Sequence, residues 1–406
     1  MKPQCHADHS SRRWLPLSLA ALGVTLVGAF FGITAEVART VVRTGSTRSH
    51  NTRVTHVDTV ANTVTITSTP DTRLPGRYGL WVNRSRDFLR LGKIIAETPH
   101  TVTRRVLSDL PGHVQRGGAS FTGWFYRDAS ELGLPFVDWT IRTEDGTAPA
   151  WYFPSASEKT KGCAVLVHGR GVQRNEVLRA VPVFHNAGYD ALAISYRNDG
   201  DASASADKRY GLGMTEWKDV HAALSEALTA GHTRFVLMGW SMGGAICLQT
   251  AARSAHAPRI TGLVLESPVV DWRSVLRYQA RASRIPALVR NAAMWLIGHR
   301  LSRIVTGQHQ PIDLDSLDRV AHAADLTHPV LIVHSDDDGF VPSDASHALA
   351  EARPDLVTLE TFAVARHTKL WNFDSERWNR VIARWLAEHT HSSISRKGST
   401  SREPDV

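Results

Sequence analysis

The sequence predicts an α/β fold with a doubly wound, mostly parallel sheet, and two observations lead to that prediction. From residue 131 onward, short apolar segments of strand character alternate with longer segments of helical periodicity. Repeats of this kind build parallel sheets that helices cover on both faces. In addition, a Gly-Trp-Ser-Met-Gly motif at residues 239–243 stands between one such strand and the helix after it. That motif at that junction is typical of a tight turn at the carboxyl end of a strand.

The first residues predict a membrane segment. A basic leader spans residues 1–13, and the following residues 14–35 contain no formal charge. This stretch is as long as the ~20 residues that a membrane-crossing helix needs, and it exceeds the about 7–15 apolar residues of a secretory signal. We therefore expect residues 14–35 to be a single transmembrane anchor or uncleaved signal that places the protein at the plasma membrane. A cleaved signal, and so a secreted protein, is the alternative.

A linker and a β-rich region are predicted next. Residues 36–53 are polar and rich in Arg and Thr, which predicts a linker. Over residues 54–130, β-branched residues recur at strand spacing and predict a β-rich N-terminal region, with one short helix at residues 87–95. This region contains no catalytic constellation, and we expect its aromatic residues to serve packing.

The α/β domain is predicted over residues 131–391. Its strands are predicted at residues 136–143, 148–153, 163–167, 189–195, 233–238, 260–266, 329–334 and 357–362. Its helices are predicted at residues 174–187, 217–230, 245–252 and 376–388. Amphipathic helical pieces in residues 273–320 interrupt the alternation, and residues 392–406, rich in Ser, Arg and Lys, predict a disordered tail.

Charge and cysteine usage exclude several classes of protein. The net charge is +8, but residues 1–53 carry +5 and residues 392–406 carry +1, which leaves about +2 for the body. A nucleic-acid-binding surface is therefore not expected. The three cysteines, Cys5, Cys163 and Cys247, form neither a zinc-type spacing nor a disulfide framework. We predict no metal or organic cofactor.

Ser241, at the centre of the glycine motif, is the candidate nucleophile. A strand-to-helix turn raises the serine hydroxyl above the sheet. Gly239 and Gly243 fit such a turn because a side chain would clash where strand and helix approach. The alternative is a glycine-rich turn with a capping serine.

A serine hydroxyl needs a base to take its proton and an acid to orient that base. His367 lies in the loop between the final strand and the final helix, after both other candidates in the chain. The loop after the strand that ends at residue 334 holds three adjacent candidate acids, Asp336, Asp337 and Asp338. Loops at the carboxyl edge of a parallel sheet converge, so we expect serine, acid and histidine to meet there.

Backbone N–H groups are the expected partners of a developing oxyanion. Two preorganised donors of this kind contribute about 3–4 kcal/mol each. Met242, at the start of the helix, supplies one, and the N–H of Arg170, in the His168-Gly169-Arg170 segment after an earlier strand, is the expected second. The Arg170 side chain either contacts a carboxylate or phosphate of the substrate or is solvated.

These motifs together resemble the α/β-hydrolase superfamily over residues 130–390, in particular its serine-aminopeptidase-like and monoacylglycerol-lipase-like branch. That branch often carries His-Gly-x-x-Asp-x-x-Val-Pro at the acid loop. Residues 334–342 read His-Ser-Asp-Asp-Asp-Gly-Phe-Val-Pro, with Ser in place of Gly. The resemblance implies that Asp338 is the acid and that residues 273–320 form a small helical lid, whose apolar residues either line an acyl pocket or only pack. The chain also resembles membrane-anchored hydrolases of actinobacteria.

We therefore expect a serine hydrolase that cleaves carboxylic esters through an acyl-enzyme. Its substrate is expected to be a small acyl ester or a lipid-like ester. Ser241 attacks, His367 transfers the proton, Asp338 orients the imidazole, and the N–H groups of Met242 and Arg170 bind the oxyanion. A serine aminopeptidase or an acyltransferase with the same triad is the alternative, and a non-catalytic scaffold that binds a partner is a further one. The acyl chain, the leaving group, the membrane orientation and the oligomeric state stay open.

Overall fold

Two sheets form the protein, a closed six-stranded barrel and an open eight-stranded sheet. The computed structural model describes residues 14–45, 50–157 and 159–389, with the backbone alone over residues 14–26. The predicted basic leader at residues 1–13 and the predicted disordered tail at residues 392–406 lie outside the described residues.

The barrel holds the β-rich N-terminal region. Its strands are β1 (Thr52–Asp58), β2 (Thr63–Thr67), β3 (Tyr78–Val82), β4 (Asp87–Glu97), β5 (Thr101–Val106) and β6 (Gly117–Thr122). They close in the order β1-β2-β5-β4-β3-β6 with antiparallel neighbours throughout. Alternate side chains fill its interior, as the period of a strand requires.

The helix predicted at residues 87–95 is wrong, because those residues lie in β4. Leu89 and Leu91 are fully buried while Arg90 between them is partly exposed, which is the alternation of a strand. Leu89 pairs with Leu80 of β3, so this segment forms part of the barrel wall.

The open sheet has the order β14-β13-β12-β11-β9-β10-β8-β7. Its strands are β7 (Val137–Thr143), β8 (Gly146–Phe153), β9 (Cys163–Val167), β10 (Asp190–Ile194), β11 (Phe235–Trp240), β12 (Ile260–Glu266), β13 (Val330–Ser335) and β14 (Val357–Phe362). The strands from β9 to β14 pair in parallel, whereas β7 and β8 form an antiparallel edge. The predicted α/β fold with a mostly parallel sheet is confirmed.

Helices cover both faces of this sheet. They are α1 (Trp14–Val42), α2 (Val181–Asn186), α3 (Trp217–Thr229), α4 (Met242–Arg253), α5 (Trp272–Ala282), α6 (Ala287–Gly298), α7 (Ser302–Val305), α8 (Asp344–Ala352), α9 (Leu370–Phe373) and α10 (Ser375–His389). Residues of α3, α4 and α8 share one apolar core, and residues of α2 and α10 share the core on the other face. Strands covered on both faces are nearly continuous apolar runs, and β9 to β13 are buried along almost their whole length.

The parallel strands place four loops at one edge of the sheet. The loop after β9 carries His168 to Arg170, and Ser241 follows β11 directly. Asp338 follows β13, and His367 follows β14. Because the carboxyl ends of parallel strands meet, segments that are far apart in sequence come together there.

The predicted transmembrane anchor at residues 14–35 is wrong. Within the part of the chain that the structure describes, no helix combines the length and the apolarity that crossing a bilayer requires. The membrane contact and the plasma-membrane localisation that we drew from the anchor are therefore withdrawn.

Helix α1 packs instead onto the body of the protein. It continues to Val42, so the first part of the predicted linker at residues 36–53 is helical. Ala38 and Val42 are fully buried in the larger core. On its outer side, Glu36 pairs with Arg43 at 2.8 Å. The fully buried contacts therefore lie near the end of α1, whereas Val27, Phe31 and Ile33 earlier in the helix are more than half exposed.

The packing of α1 can be tested with two valines of the same helix. Val42→Ala should lower the free energy of unfolding by about 2 kcal/mol, because buried methyl groups are lost and a cavity remains. Val27→Ala is the matched control, since the Val27 side chain is 56% exposed, and it should change the free energy by less than about 0.5 kcal/mol. Urea unfolding measures both. Equal effects of the two substitutions would show that α1 does not pack as described.

Candidate active site

Ser241 lies in a sharp turn between β11 and α4. Its backbone has φ 52° and ψ −118°, in a region that residues other than glycine seldom adopt. A Cβ atom on Gly239 would lie 2.4 Å from the carbonyl oxygen of Gly243, and one on Gly243 would lie 2.3 Å from that of Val167. Both positions therefore require glycine, and the turn presents the Ser241 hydroxyl above the sheet.

The structure brings Ser241, His367 and Asp338 together. His367 Nε2 lies 3.0 Å from Ser241 Oγ, and His367 Nδ1 lies 2.7 Å from Asp338 Oδ2. Because a carboxylate only accepts, Nδ1 carries the hydrogen and Nε2 is free to accept from the serine hydroxyl. This arrangement can remove a proton from Ser241 as its oxygen attacks a carbonyl carbon.

The surroundings of Asp338 keep it ionised. Burial alone would raise the pKa of its carboxyl, but the nearby His367 and His334 together hold that pKa well below its usual range. Its Oδ1 accepts hydrogen bonds from the N–H groups of Phe340 at 2.8 Å and Val341 at 2.9 Å. An ionised, fixed carboxylate can hold one imidazole tautomer.

The two neighbouring aspartates have other partners. Asp336 accepts from Ser343 Oγ at 3.0 Å and pairs with His347 Nε2 at 2.9 Å, on the outer side of the loop. Asp337 accepts from the N–H of Arg366 at 2.9 Å, so it holds the backbone next to His367. Of the three, only Asp338 contacts the His367 ring.

The loop that carries His367 has an unusual backbone. Arg366 and Thr368 on either side of it have φ values of 61° and 50°, which are uncommon for residues with a side chain. The N–H of Thr368 donates to Ser267 Oγ at 3.2 Å, and its carbonyl accepts from Arg179 at 2.9 Å. Such a backbone persists only where its surroundings determine it.

The loop after β9 faces Ser241. A Cβ atom on Gly169 would lie 3.5 Å from Ser241 Cβ. The Gly169 carbonyl accepts from His168 Nδ1 at 2.8 Å and from the Tyr196 hydroxyl at 2.7 Å. Because a trans peptide unit is planar, the N–H of Arg170 points away from those donors. Met242 begins α4, where N–H groups have no partner within the helix.

The side chain of Arg170 contacts the end of α1 and lines both cavities at Ser241. Its guanidinium donates to the carbonyl oxygens of Thr40 at 2.8 Å and Arg43 at 3.1 Å, at the end of α1. It also lies over the Tyr210 ring, 5.1 Å from the centroid. Arg170 therefore fastens α1 to the loop beside Ser241.

A buried polar cluster beneath the site escaped the sequence analysis. Glu176 accepts from the N–H of Gly169 at 2.9 Å. Arg179, 1% exposed, donates to the Thr368 carbonyl and, at 2.6 Å, to Asn372 Oδ1. The cluster thus connects the loop after β9 with the loop that carries His367. Its only sequence signal is a Glu and an Arg three residues apart within an otherwise apolar segment.

Glu266 is the third charged member beneath the site. It ends β12, is fully buried, and accepts from the indole N–H groups of Trp240 at 2.9 Å and Trp378 at 2.8 Å. Burial raises the pKa of this carboxyl. The N–H of Leu370, 3.3 Å from Glu266 Oε1, extends the contact to α9.

An apolar cavity of about 410 Å³ opens onto Ser241. Its walls come from three helices and include Val37 and Val41 of α1, Val275 and Leu276 of α5, and Ala293, Met294 and Ile297 of α6. Within the predicted lid at residues 273–320, Ile297 lines this cavity, Val289 and Leu296 are buried, and Leu288 and Trp295 are exposed.

A second, more open cleft of about 390 Å³ meets Ser241 from the other side. It is lined by His367, by the loop after β9, by the end of α1 and by Thr44 and Gly45 after that helix. Ser241 therefore lies where an apolar cavity and a solvent-open cleft join. A substrate with an apolar acyl part and a second part on the far side of its carbonyl fits this geometry.

Metal chemistry has no evident site in the described ranges, because no group of three or more His, Cys, Asp or Glu side chains there could hold an ion. Cys163 and Cys247 are buried free thiols, and burial raises the pKa of both.

Two family models match the chain. The model described as the alpha/beta hydrolase family matches residues 164–384, which is more than half of the 406 residues. A model described as a domain of unknown function, DUF8805, matches residues 53–122, which form the barrel.

Known proteins resemble parts of the chain. A protein named as a carbamate hydrolase, RutD, of Serratia proteamaculans is 26% identical over 231 residues, covering 50% of this chain and 84% of RutD. The monoglyceride lipase of Saccharomyces cerevisiae is 27% identical over 128 residues, 30% of this chain and 39% of the lipase.

Among solved structures, the esterase Pf2001 of Pyrococcus furiosus has a TM-score of 0.50 at 16% identity. The match covers 65% of this chain and 94% of that chain. At that level of identity, the likeness shows a shared fold alone.

The three aspartates of the acid loop yield a graded prediction. Asp338→Asn should slow the reaction of Ser241 with a fluorophosphonate by roughly 10³–10⁴-fold, because an amide would favour the wrong imidazole tautomer. Asp336→Asn is the matched control and should react almost as the wild type does, since its partners lie outside the site. Asp337→Asn should be intermediate, because it holds the backbone of Arg366. A severe effect of Asp336→Asn would refute this order.

Proposed function

The chain belongs to the alpha/beta hydrolase family, as the resemblance of its motifs indicated, and on that premise we propose that it is a serine hydrolase of carboxylic esters. The observation that carries the proposal is the continuous contact from Ser241 Oγ through His367 to Asp338, with distances of 3.0 and 2.7 Å. A serine on a strained turn with a base and an acid in line is the arrangement that nucleophilic acyl transfer requires.

In the proposed first step, Ser241 Oγ attacks the carbonyl carbon of the ester while His367 Nε2 takes its proton. Asp338 stabilises the imidazolium that forms and keeps its own charge. The N–H groups of Met242 and Arg170 donate to the oxyanion of the tetrahedral intermediate. His367 then gives the proton to the leaving alkoxide, and the acyl group stays on Ser241.

In the second step, His367 Nε2 removes a proton from a water molecule, which attacks the acyl-enzyme carbonyl. The tetrahedral intermediate collapses, the proton returns to Ser241 Oγ, and the carboxylic acid leaves. The solvent-open cleft beside His367 gives water a route to this position.

The apolar cavity supports an acyl group of appreciable length. Its walls of Val, Leu, Met and Ile side chains favour a hydrocarbon chain over a charged or strongly hydrated group. The leaving group would occupy the open cleft. Of the two relatives, one is named a monoglyceride lipase and the other a carbamate hydrolase, and the lipase name agrees with an ester substrate here.

The nucleophile has a matched control in α3. Ser241→Ala should abolish both fluorophosphonate labelling and turnover of nitrophenyl esters. Ser225 Oγ also lies 2.8 Å from a histidine nitrogen, His256 Nε2, but it sits within a helix rather than at a turn. Ser225→Ala should keep both activities, since no free helix N–H groups surround that serine.

Label that persists in Ser241→Ala would overturn the proposed nucleophile. Labelling of the wild type without ester turnover would place the activity with amides. Product that forms preferentially on an added alcohol would show an acyltransferase.

The acyl cavity gives a second prediction. Ala293→Phe should reduce kcat/KM for long-chain nitrophenyl esters by about tenfold or more relative to the acetate ester, because the ring fills space that the chain needs. Leu288→Phe on the same helix is the control, since Leu288 is 70% exposed. A chain-length series measured on both variants checks this. An unchanged profile in Ala293→Phe would show that the acyl chain lies elsewhere.

A further inference from the structure

We propose that the N-terminal barrel supports the active site, and that Asp71, on the segment between β2 and β3, positions the loop that carries His367. This inference rests on the proposed function and assigns a role to the barrel.

The His367 loop needs support from outside itself. Its neighbours Arg366 and Thr368 both have positive φ values, so the loop does not hold this shape by its own preference. Asp337, Ser267 and Arg179 fasten its backbone from the side of the open sheet. The remaining side of the loop faces the barrel.

Asp71 contacts this loop before and after the histidine. Its Oδ1 lies 3.2 Å from Arg366 Nε, and its Oδ2 lies 3.7 Å from Lys369 Nζ. Lys369 Nζ also donates to the carbonyl oxygen of His367 at 3.3 Å. One carboxylate of the barrel thus joins two cations that flank His367, and all three side chains are less than one-third exposed.

A second contact lies just beyond the loop. The N–H of Arg77 donates to the Asn372 carbonyl at 2.9 Å, and Asn372 Nδ2 donates to the Arg77 carbonyl at 2.7 Å. A Cβ atom on Gly76 would lie 2.0 Å from the Asn372 carbonyl oxygen. The guanidinium of Arg77 also lies over the Trp371 ring, 4.7 Å from its centroid. The backbone of the segment before β3 is therefore in direct contact with the backbone of α9.

A buried arginine makes the contacting segment rigid. Arg104 of β5 is fully buried, and its guanidinium donates to carbonyl oxygens of Thr72, Leu74 and Gly76. Burial lowers the pKa of Arg104 to about 10. A buried cation that is bonded to three carbonyl oxygens of one segment fixes that segment, and Asp71 directly precedes the first of the three residues.

The charges around His367 give the inference a signature that packing alone would not produce. Asp338 contacts the ring and also pairs with His334, while Arg366 and Lys369 flank the ring in the chain. The cleft that His367 lines is also lined by Arg43, Arg170 and Glu176. Without Asp71, the two flanking cations lose their shared carboxylate. Uncompensated positive charge disfavours a protonated imidazole.

Asp71→Asn is the test. Its kcat for a nitrophenyl ester should fall about tenfold with KM nearly unchanged, because the histidine is displaced while the acyl cavity is intact. The acid limb of its kcat/KM profile should also move to lower pH. Asp87→Asn is the matched control, since that barrel carboxylate bonds to Asn83 and His113 within the barrel. It should behave as the wild type.

Lys369→Met provides a second variant if Asp71→Asn does not fold. It removes the cation on the other side of the contact, so kcat should again fall while the acid limb moves to higher pH. Wild-type kcat and an unmoved acid limb in a folded Asp71→Asn or Lys369→Met protein would overturn the inference.

A separate readout distinguishes this inference from the proposed function. The titration of the His367 ring is followed by NMR in histidine-labelled protein, with the signal assigned through His367→Gln. A midpoint that moves to lower pH in Asp71→Asn supports the inference even if the wild type cleaves no ester, which would sink the proposed function alone. An unmoved midpoint overturns the inference even if the wild type is an active esterase.

Discussion

Strand β11, helix α4 and the end of β9 pack so closely around Ser241 that the position of its hydroxyl is fixed. The other loops of the site are arranged around that point. Gly239 and Gly243 leave no room for a side chain, and Ser241 between them adopts a backbone with positive φ that costs on the order of 1–3 kcal/mol. The N–H of Ser241 donates to the Glu266 carbonyl at 3.0 Å, and the Ser241 carbonyl accepts from Val269 at 3.1 Å. The sheet itself therefore offsets the strain, and the hydroxyl stands at a fixed point that other loops can approach.

Buried side chains of Glu and Arg beneath the site connect the loops that approach Ser241. Glu176 holds Gly169, Arg179 holds Thr368, and Glu266 holds two indole rings and Leu370. Buried ionic groups add little net stability, because the loss of hydration offsets their attraction. Their role here is to fix backbone groups near the site, namely the N–H of Gly169, the carbonyl of Thr368 and the N–H of Leu370. The loop after β9 and the histidine loop then keep one relative position.

Sequence patterns were sufficient where chemistry and local structure coincide. The apolar runs of β9 to β13 predicted a buried parallel sheet, and the strand–glycine–helix pattern marked Ser241. The structure also brings His367 and Asp338 to that residue, as the chain order indicated. Chain order alone does not distinguish Asp338 from Asp336 and Asp337 as the acid, because all three follow the same strand. The resemblance of the loop to a family pattern indicates Asp338.

Other features could not be read from sequence for physical reasons. The uncharged first part of α1 has a composition that suits either a protein core or a bilayer, and only the neighbours of the helix decide between the two. The strand β4 holds Leu89 and Leu91 inward only because the barrel closes around it. The ion pair between Asp71 and Arg366 joins residues that are 295 positions apart in the chain, so no local sequence pattern predicts it.

We propose that Ser241 carries the acyl group of an ester during turnover. The most direct test is to mix the protein with a long-chain nitrophenyl ester, quench it with acid within the first turnover, and measure the protein by mass spectrometry. We expect the mass of one acyl group on the peptide that contains Ser241, and we expect this mass to be lost with time as water deacylates the enzyme. Acylation of Ser241 would be refuted if nitrophenol were released in the first turnover while that peptide carried no acyl mass, or while another residue carried it.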